Sequence, residues 1–265
     1  MGETVALHFQ EQGEGEPLLI LHGLFGSGSN WRRIAKALAD HHRVLLVDLR
    51  NHGQSPHHRV MDYPAMAADV SALMEQLGLE QANLLGHSMG GKVAMWLALE
   101  APHRVQRLVV ADMAPVPYPD DGEHRALINA LLELDLGALD SRADATRQLA
   151  QAIPSLGIRQ FLLTNLEQRD GQWRWRIPLQ RLREELDTIR GFPEPHGQYP
   201  GPSLFIHGGR SSYVTEESHP LITRLFPGAT FSTLPDCGHW LHAEDPDTFS
   251  ARVKEFLASQ GAAGQ

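Results

Sequence analysis

The sequence predicts an α/β fold: a mostly parallel central sheet with helices on both faces and an inserted helical cap. Three observations carry that expectation. Short, continuous apolar runs alternate with stretches whose apolar residues recur every three or four positions; the rhythm stops once, over residues 114–200; and it resumes afterwards. A strand that is apolar at every position is buried on both faces, as in a parallel sheet covered by crossover helices. At 265 residues the chain suits one large domain with an insertion.

Taken in chain order, residues 4–10 and the turn Gly13-Glu14-Gly15 predict an N-terminal hairpin. Strands follow at Leu18-Leu19-Ile20-Leu21, Val44-Leu45-Leu46-Val47 and Asn83-Leu84-Leu85-Gly86, with helical patterns at 31–39 and 65–78 between them. Further strands are expected at 107–111, 203–207 and 230–234. The interruption opens with Pro115, Pro117 and Pro119 and closes with Pro193, Pro195, Pro200 and Pro202. Amphipathic helices are expected inside it at 123–136, 142–152, 156–166 and 179–189. The predicted division is therefore a core of residues 1–113 and 201–265 with a cap of 114–200. The Gly/Ala tail at 261–265 is expected to fray.

Composition narrows the function. The formal net charge is −9, and no long basic stripe is present to neutralise phosphates, which argues against nucleic acid as a partner. Cys237 is the single cysteine, so the sequence offers neither an intramolecular disulfide nor a Cys-rich zinc site, and a reducing compartment, the cytoplasm, is expected. No apolar run approaches the ~20 residues of a membrane-spanning helix, and the first residues lack an export leader's basic-then-apolar pattern. The adjacent histidine pairs His41-His42 and His57-His58 lack helical metal-ligand spacing, so no metal site is expected. The composition gives no oligomeric state.

The chemistry concentrates at Gly86-His87-Ser88-Met89-Gly90, a G-x-S-x-G string between a predicted strand and a predicted helix. A serine on so sharp a strand-to-helix turn needs glycines on either side, because a Cβ there would collide across the turn. Ser88 is the candidate nucleophile. When a serine attacks a carbonyl, two backbone N–H groups must meet the oxyanion. Met89 is expected to supply one, and Leu24, in His22-Gly23-Leu24-Phe25-Gly26 after an earlier strand, the other. Among fifteen histidines, His239 follows the last predicted strand in Asp236-Cys237-Gly238-His239-Trp240, the place of a general base. Phe25 and Trp240 are candidate pocket walls.

Six ordered stretches resemble the serine-dependent α/β-hydrolases, and more narrowly the YbfF/ABHD11-like branch of small esterases. They are residues 22–27, 48–56, 61–66, 86–92, 111–116 and 238–240. The resemblance implies the α/β-hydrolase fold, no cofactor, and a hydrolase of acyl esters, some relatives also taking acyl-CoA thioesters. It bears on the acid too. The loop Gly209-Arg210-Ser211-Ser212, where many relatives carry it, has no carboxylate. Asp112 follows the strand that a right-handed crossover places beside that of Ser88, and the branch carries its acid there. Asp112 is therefore the candidate acid, with Ser211 as an added hydrogen-bond partner and Asp236 expected to cap its own turn. Asp48, Arg50, Asn51 and His52 could line the site, but they are expected rather to shape a loop through a buried Asp–Arg arrangement.

The expected function is carboxylic-ester hydrolysis on small acyl esters or thioesters through a Ser88–His239–Asp112 triad. Carbon–carbon bond hydrolases and perhydrolases share such a set, and a ligand receptor could share the fold. A cluster of Arg159, Arg169, Arg174, Arg176, Arg181 and Arg183 could attract an anionic leaving group such as coenzyme A, but a solvated helical face is the better explanation.

Overall fold

A computed structural model describes residues 3–120 and 122–259; the tail at 261–265 lies outside them. The core strands are β1 (Phe9–Gln12), β2 (Glu16–Leu21), β3 (His42–Val47), β4 (Ala82–His87) and β5 (Val105–Ala111). Helices α1 (Arg32–Leu38), α2 (Tyr63–Gln76) and α3 (Met89–Glu100) alternate with them. The chain then makes α4 (Glu123–Glu133), α5 (Arg142–Gln148), α6 (Leu156–Leu162), the hairpin β6 (Leu166–Arg169) and β7 (Gln172–Trp175), α7 (Leu179–Glu184) and α8 (Leu186–Arg190). It closes with β8 (Ser203–Gly208), α9 (His219–Leu225), β9 (Ala229–Leu234), α10 (Leu241–Glu244) and α11 (Pro246–Ala258).

Among the described residues the main sheet runs β1-β3-β2-β4-β5-β8-β9, parallel except for β1. The apolar runs are continuous because alternate residues serve two cores. Leu19, Leu21, Leu45, Val47, Leu84 and Val110 pack with α2 and α3. Leu18, Ile20, Val44, Leu46, Leu85 and Val109 pack with Trp31, with Ile34 of α1 and with Phe249 and Val253 of α11.

The N-terminal hairpin does not form. β1 pairs antiparallel with β3, so β3 separates it from β2. The turn between β1 and β2 passes over the start of β3 at very close range. A Cβ on Gly13 (φ 80°) would sit 2.3 Å from the His42 carbonyl oxygen, and one on Gly15 (φ 112°) 2.7 Å from that of His41. Those glycines permit a crossing rather than a hairpin.

The sequence reading also missed the β6–β7 hairpin. Its signal is Asp170-Gly171, both at positive φ (51° and 78°), the backbone that a two-residue hairpin turn demands. Strands of four residues bearing charged side chains hid it. The helix expected over 179–189 breaks at Glu185 into α7 and α8.

Arg50 is buried as expected, but its partner is Asp69 of α2: Nε and Nη2 donate to the carboxylate at 2.6 and 2.8 Å, and both side chains are fully buried. Asp48 instead accepts from the backbone N–H groups of Gly28 (2.8 Å) and Gln54 (2.9 Å), pinning together two loops at the carboxyl ends of β2 and β3.

Candidate active site

Ser88 lies at the carboxyl end of β4, between His87 and the first residue of α3, with φ 54° and ψ −121°. A serine in that conformation is strained by ~1–3 kcal/mol and must be held from outside. Its N–H donates to the Ala111 carbonyl at 3.2 Å. The flanking glycines are sterically required, since a Cβ on Gly86 would come 2.2 Å from the Gly90 carbonyl oxygen and one on Gly90 2.2 Å from that of Leu21. The elbow is thus wedged against the end of β2, and Ser88 remains half-buried at the head of α3, where the helix favours negative charge.

Asp112 occupies the first position after β5, also at positive φ (50°), with its N–H bonded to the Ile206 carbonyl of β8 at 2.8 Å. Its carboxylate is fully buried and crosses towards β8. Oδ1 accepts from the Gly208 N–H at 3.1 Å; Oδ2 accepts from the Ser211 hydroxyl and, at 2.7 Å, from His239 Nδ1. A carboxylate can only accept, so Nδ1 carries the proton and Nε2 is left to take one. The acid from β5 thereby reaches the end of β8, and the loop there contributes a hydroxyl in place of a carboxylate. Asp236 is out at the surface on Arg210 (3.1 Å) and does not cap its turn; Glu244 does so, accepting from the Gly238 N–H at 2.9 Å.

His239 is held between two rings. Tyr213 stacks on one side at 4.0 Å between centroids; His87 lies 4.7 Å away on another, and its Nε2–H donates to the His239 carbonyl at 2.8 Å. Burial pushes His87 well below the ordinary histidine range, so a neutral ring sits beneath His239. His242, stacked on Trp31 at 4.0 Å, and His52 are both pushed by burial from 6.5 to about 3.

In the loop after β2, the Phe25 N–H donates to His52 Nε2 (3.1 Å), and the Phe25 carbonyl accepts from Asn165 Nδ2 (2.8 Å) beyond α6. His22 joins the loop after β3 by accepting the Leu49 N–H at 3.0 Å. Burial lowers its pKa as well. Asn165 and Tyr213 escaped the sequence reading because contacts distant in sequence give them their roles; His87 entered it only as part of the elbow string, and His52 only as a residue shaping the loop after β3, without its bond to the Phe25 N–H.

These buried neutral histidines set an acid limit. The unfolded chain takes protons below about pH 6.5 and the folded chain does not, so stability is full above that pH and is lost as pH falls towards 3. The Tm is expected to drop progressively below pH 6.5, with a shallower slope in His242→Phe. A Tm unchanged between pH 7 and 5 would contradict this.

Two cavities meet at Ser88. The larger, of about 620 Å³, is lined by His239, Trp240 and Phe25 together with Ile158, Phe161 and Leu162. Trp240 packs on Phe161 at 5.4 Å between centroids. The smaller, of about 300 Å³, is lined by Met89, Lys92, Tyr63, Tyr118 and Arg190. Leu24 and Ser88 border both. None of the six arginines of the 159–183 segment lines either cavity. Arg174 and Arg176 share Glu167, Arg181 pairs with Glu184, and Arg159 caps the Ile153 and Pro154 carbonyls. The expected basic cluster is dispersed by local partners.

Comparison with known proteins decides the family. Residues 16–148 match the family described as alpha/beta hydrolase fold. The chain belongs to the α/β-hydrolase family. It is 43% identical over 255 residues to the sn-1-specific diacylglycerol lipase ABHD11 of Danio rerio, covering 94% of this chain and 80% of that one. It is 38% identical to the esterase YbfF of Escherichia coli K12, over 94% and 95% of the two chains. A solved marine microorganism esterase superposes with a TM-score of 0.93 at 41% identity, over 96% of this chain and all of that one. This α/β-hydrolase is an ester hydrolase of the YbfF/ABHD11-like branch. Among the described residues no helix is long and apolar enough to cross a membrane, and no three His, Cys, Asp or Glu side chains are grouped as metal ligands would be.

Proposed function

We propose that this hydrolase cleaves small carboxylic esters through an acyl-enzyme on Ser88. His239 takes the Ser88 proton as Oγ attacks the acyl carbonyl and returns it to the departing alkoxide; it then takes a proton from the water that attacks the acyl-enzyme carbonyl and passes it to Ser88 Oγ as the acyl–Oγ bond breaks, releasing the acid. Asp112 holds the imidazole in the required tautomer and stabilises the imidazolium. The observation that carries this reading is the 2.7 Å Asp112–His239 bond at the wall of the cavity that Ser88 borders. Two neutral histidines beside His239 add no competing positive charge as it becomes cationic.

Met89 and Leu24 are the proposed oxyanion donors. Met89 opens α3, where N–H groups have no partner within the helix. In the loop after β2 the Phe25 N–H is already bound to His52, which favours the Leu24 N–H at the border of both cavities. Residues 114–200 are read as a cap over a core of 1–113 and 201–265, since α4, α6 and α8 furnish walls of the cavities. Short to medium acyl esters fit a site of this size, with acyl thioesters as alternative substrates. Cys237 is free and buried, which suits a reducing compartment such as the cytoplasm.

A common acyl-enzyme has a kinetic signature. With a fixed acyl group and several leaving groups, added methanol should divide the product between acid and methyl ester in one constant ratio. A ratio that changes with the leaving group would mean that water attacks the substrate directly.

A further inference from the structure

Ser88 stands between two unlike cavities, and that asymmetry sorts the halves of an ester. The leaving oxygen must receive its proton from His239, which lines the larger cavity and not the smaller. The alcohol half therefore lies on that side. With the carbonyl oxygen directed at Leu24 and Met89, the acyl half enters the smaller chamber.

The wall of that chamber carries Lys92, one turn into α3 from Ser88 and only 1% exposed. Its Nζ donates to the carbonyls of Arg190 and Gly191, each at 2.7 Å, and lies 4.8 Å from the centre of the Tyr118 ring. An ammonium has three N–H bonds, so one remains beyond these two. Among the described residues no carboxylate forms an ion pair with Lys92, whereas Arg190 beside it is held by Asp120 and Asp187. The tyrosine hydroxyls are already engaged, Tyr63 donating to the Ile189 carbonyl and Tyr118 to that of Tyr213. Glu123, His124 and Tyr213 complete the charged and titratable lining. Burial lowers the Lys92 pKa to about 7, the mark of a cation desolvated without a counter-ion.

We propose that Lys92 binds a carboxylate at the far end of the acyl chain, making half-esters of dicarboxylic acids preferred substrates. Resting on the Ser88–His239 reading above, this assigns the acyl half of that site. A carboxylate there accepts the third N–H and supplies the missing counter-charge, whereas a plain alkyl chain leaves a buried cation unpaired.

The test compares two aryl esters with one leaving group, a glutarate half-ester and a hexanoate, with spontaneous hydrolysis subtracted. The native enzyme should favour the half-ester in kcat/KM by at least tenfold, Lys92→Met should cut that ratio at least tenfold, and Lys92→Arg should keep most of it. The ratio within one enzyme is the readout, so a general loss from breaking the bonds to Arg190 and Gly191 cancels. A native preference for the hexanoate, equal rates on both esters, or an unchanged ratio in Lys92→Met would overturn the assignment while leaving ester hydrolysis at Ser88 intact. Failure of Ser88 to become acylated by either ester would instead remove the reading on which it rests.

Discussion

Ser88→Ala is expected to lower kcat/KM for any ester substrate by at least ~1000-fold while leaving the fold intact. The substitution removes Oγ and little else. Alanine keeps the Cβ, and the positive φ is imposed by the Ala111 bond and the flanking glycines rather than by the side chain. Circular dichroism and Tm should therefore match the parent. Near-parental turnover by the purified variant would end the acyl-enzyme account.

Asp112→Asn is expected to cost about 10⁴ in kcat, by analogy with the serine-protease triad, where the equivalent change has that effect. The geometry gives the reason. Oδ2 accepts from both His239 Nδ1 and the Ser211 hydroxyl, and Oδ1 from the Gly208 N–H. A carboxamide satisfies the Gly208 donor only by turning its NH₂ towards His239. The imidazole must then give up its Nδ1 proton and carry it on Nε2, where it can no longer accept one from Ser88. Ser211→Ala removes a neutral donor, for which ~1 kcal/mol, or about fivefold, is expected. Its further bond from the Tyr213 N–H (3.2 Å) links Ser211 to the ring stacked on His239, so part of the loss should come through that ring. The ranking decides the matter: an Asn variant that keeps most of its kcat while Ser211→Ala collapses would displace Asp112 as the acid.

Much of this arrangement was legible in the sequence, for identifiable reasons. Strands such as Leu18-Leu19-Ile20-Leu21 must feed two cores, so their apolar runs are unbroken; the elbow announces itself because Gly86 and Gly90 are sterically forced. What depended on distant partners was not legible. The turn at Gly13 looked like a hairpin because the strand it crosses lies thirty residues away in sequence. Lys92 carries no role in the sequence beyond closing the stretch 86–92, because the Arg190 and Gly191 carbonyls that cover it lie far along the chain. The arginines of residues 159–183 read as one field because a sequence shows their sign and not their partners. The buried state of His52 and His242 leaves no local trace at all.

The central claim is that one serine carries the acyl group, and covalent labelling tests it most directly. Treatment with a fluorophosphonate followed by mass mapping of the peptides should place a single phosphonyl adduct on Ser88, with activity lost in step with labelling. Ser88→Ala should remain unlabelled, and His239→Gln should label far more slowly. An unlabelled but active parent, or an adduct on another residue that tracks the loss of activity, would contradict the account.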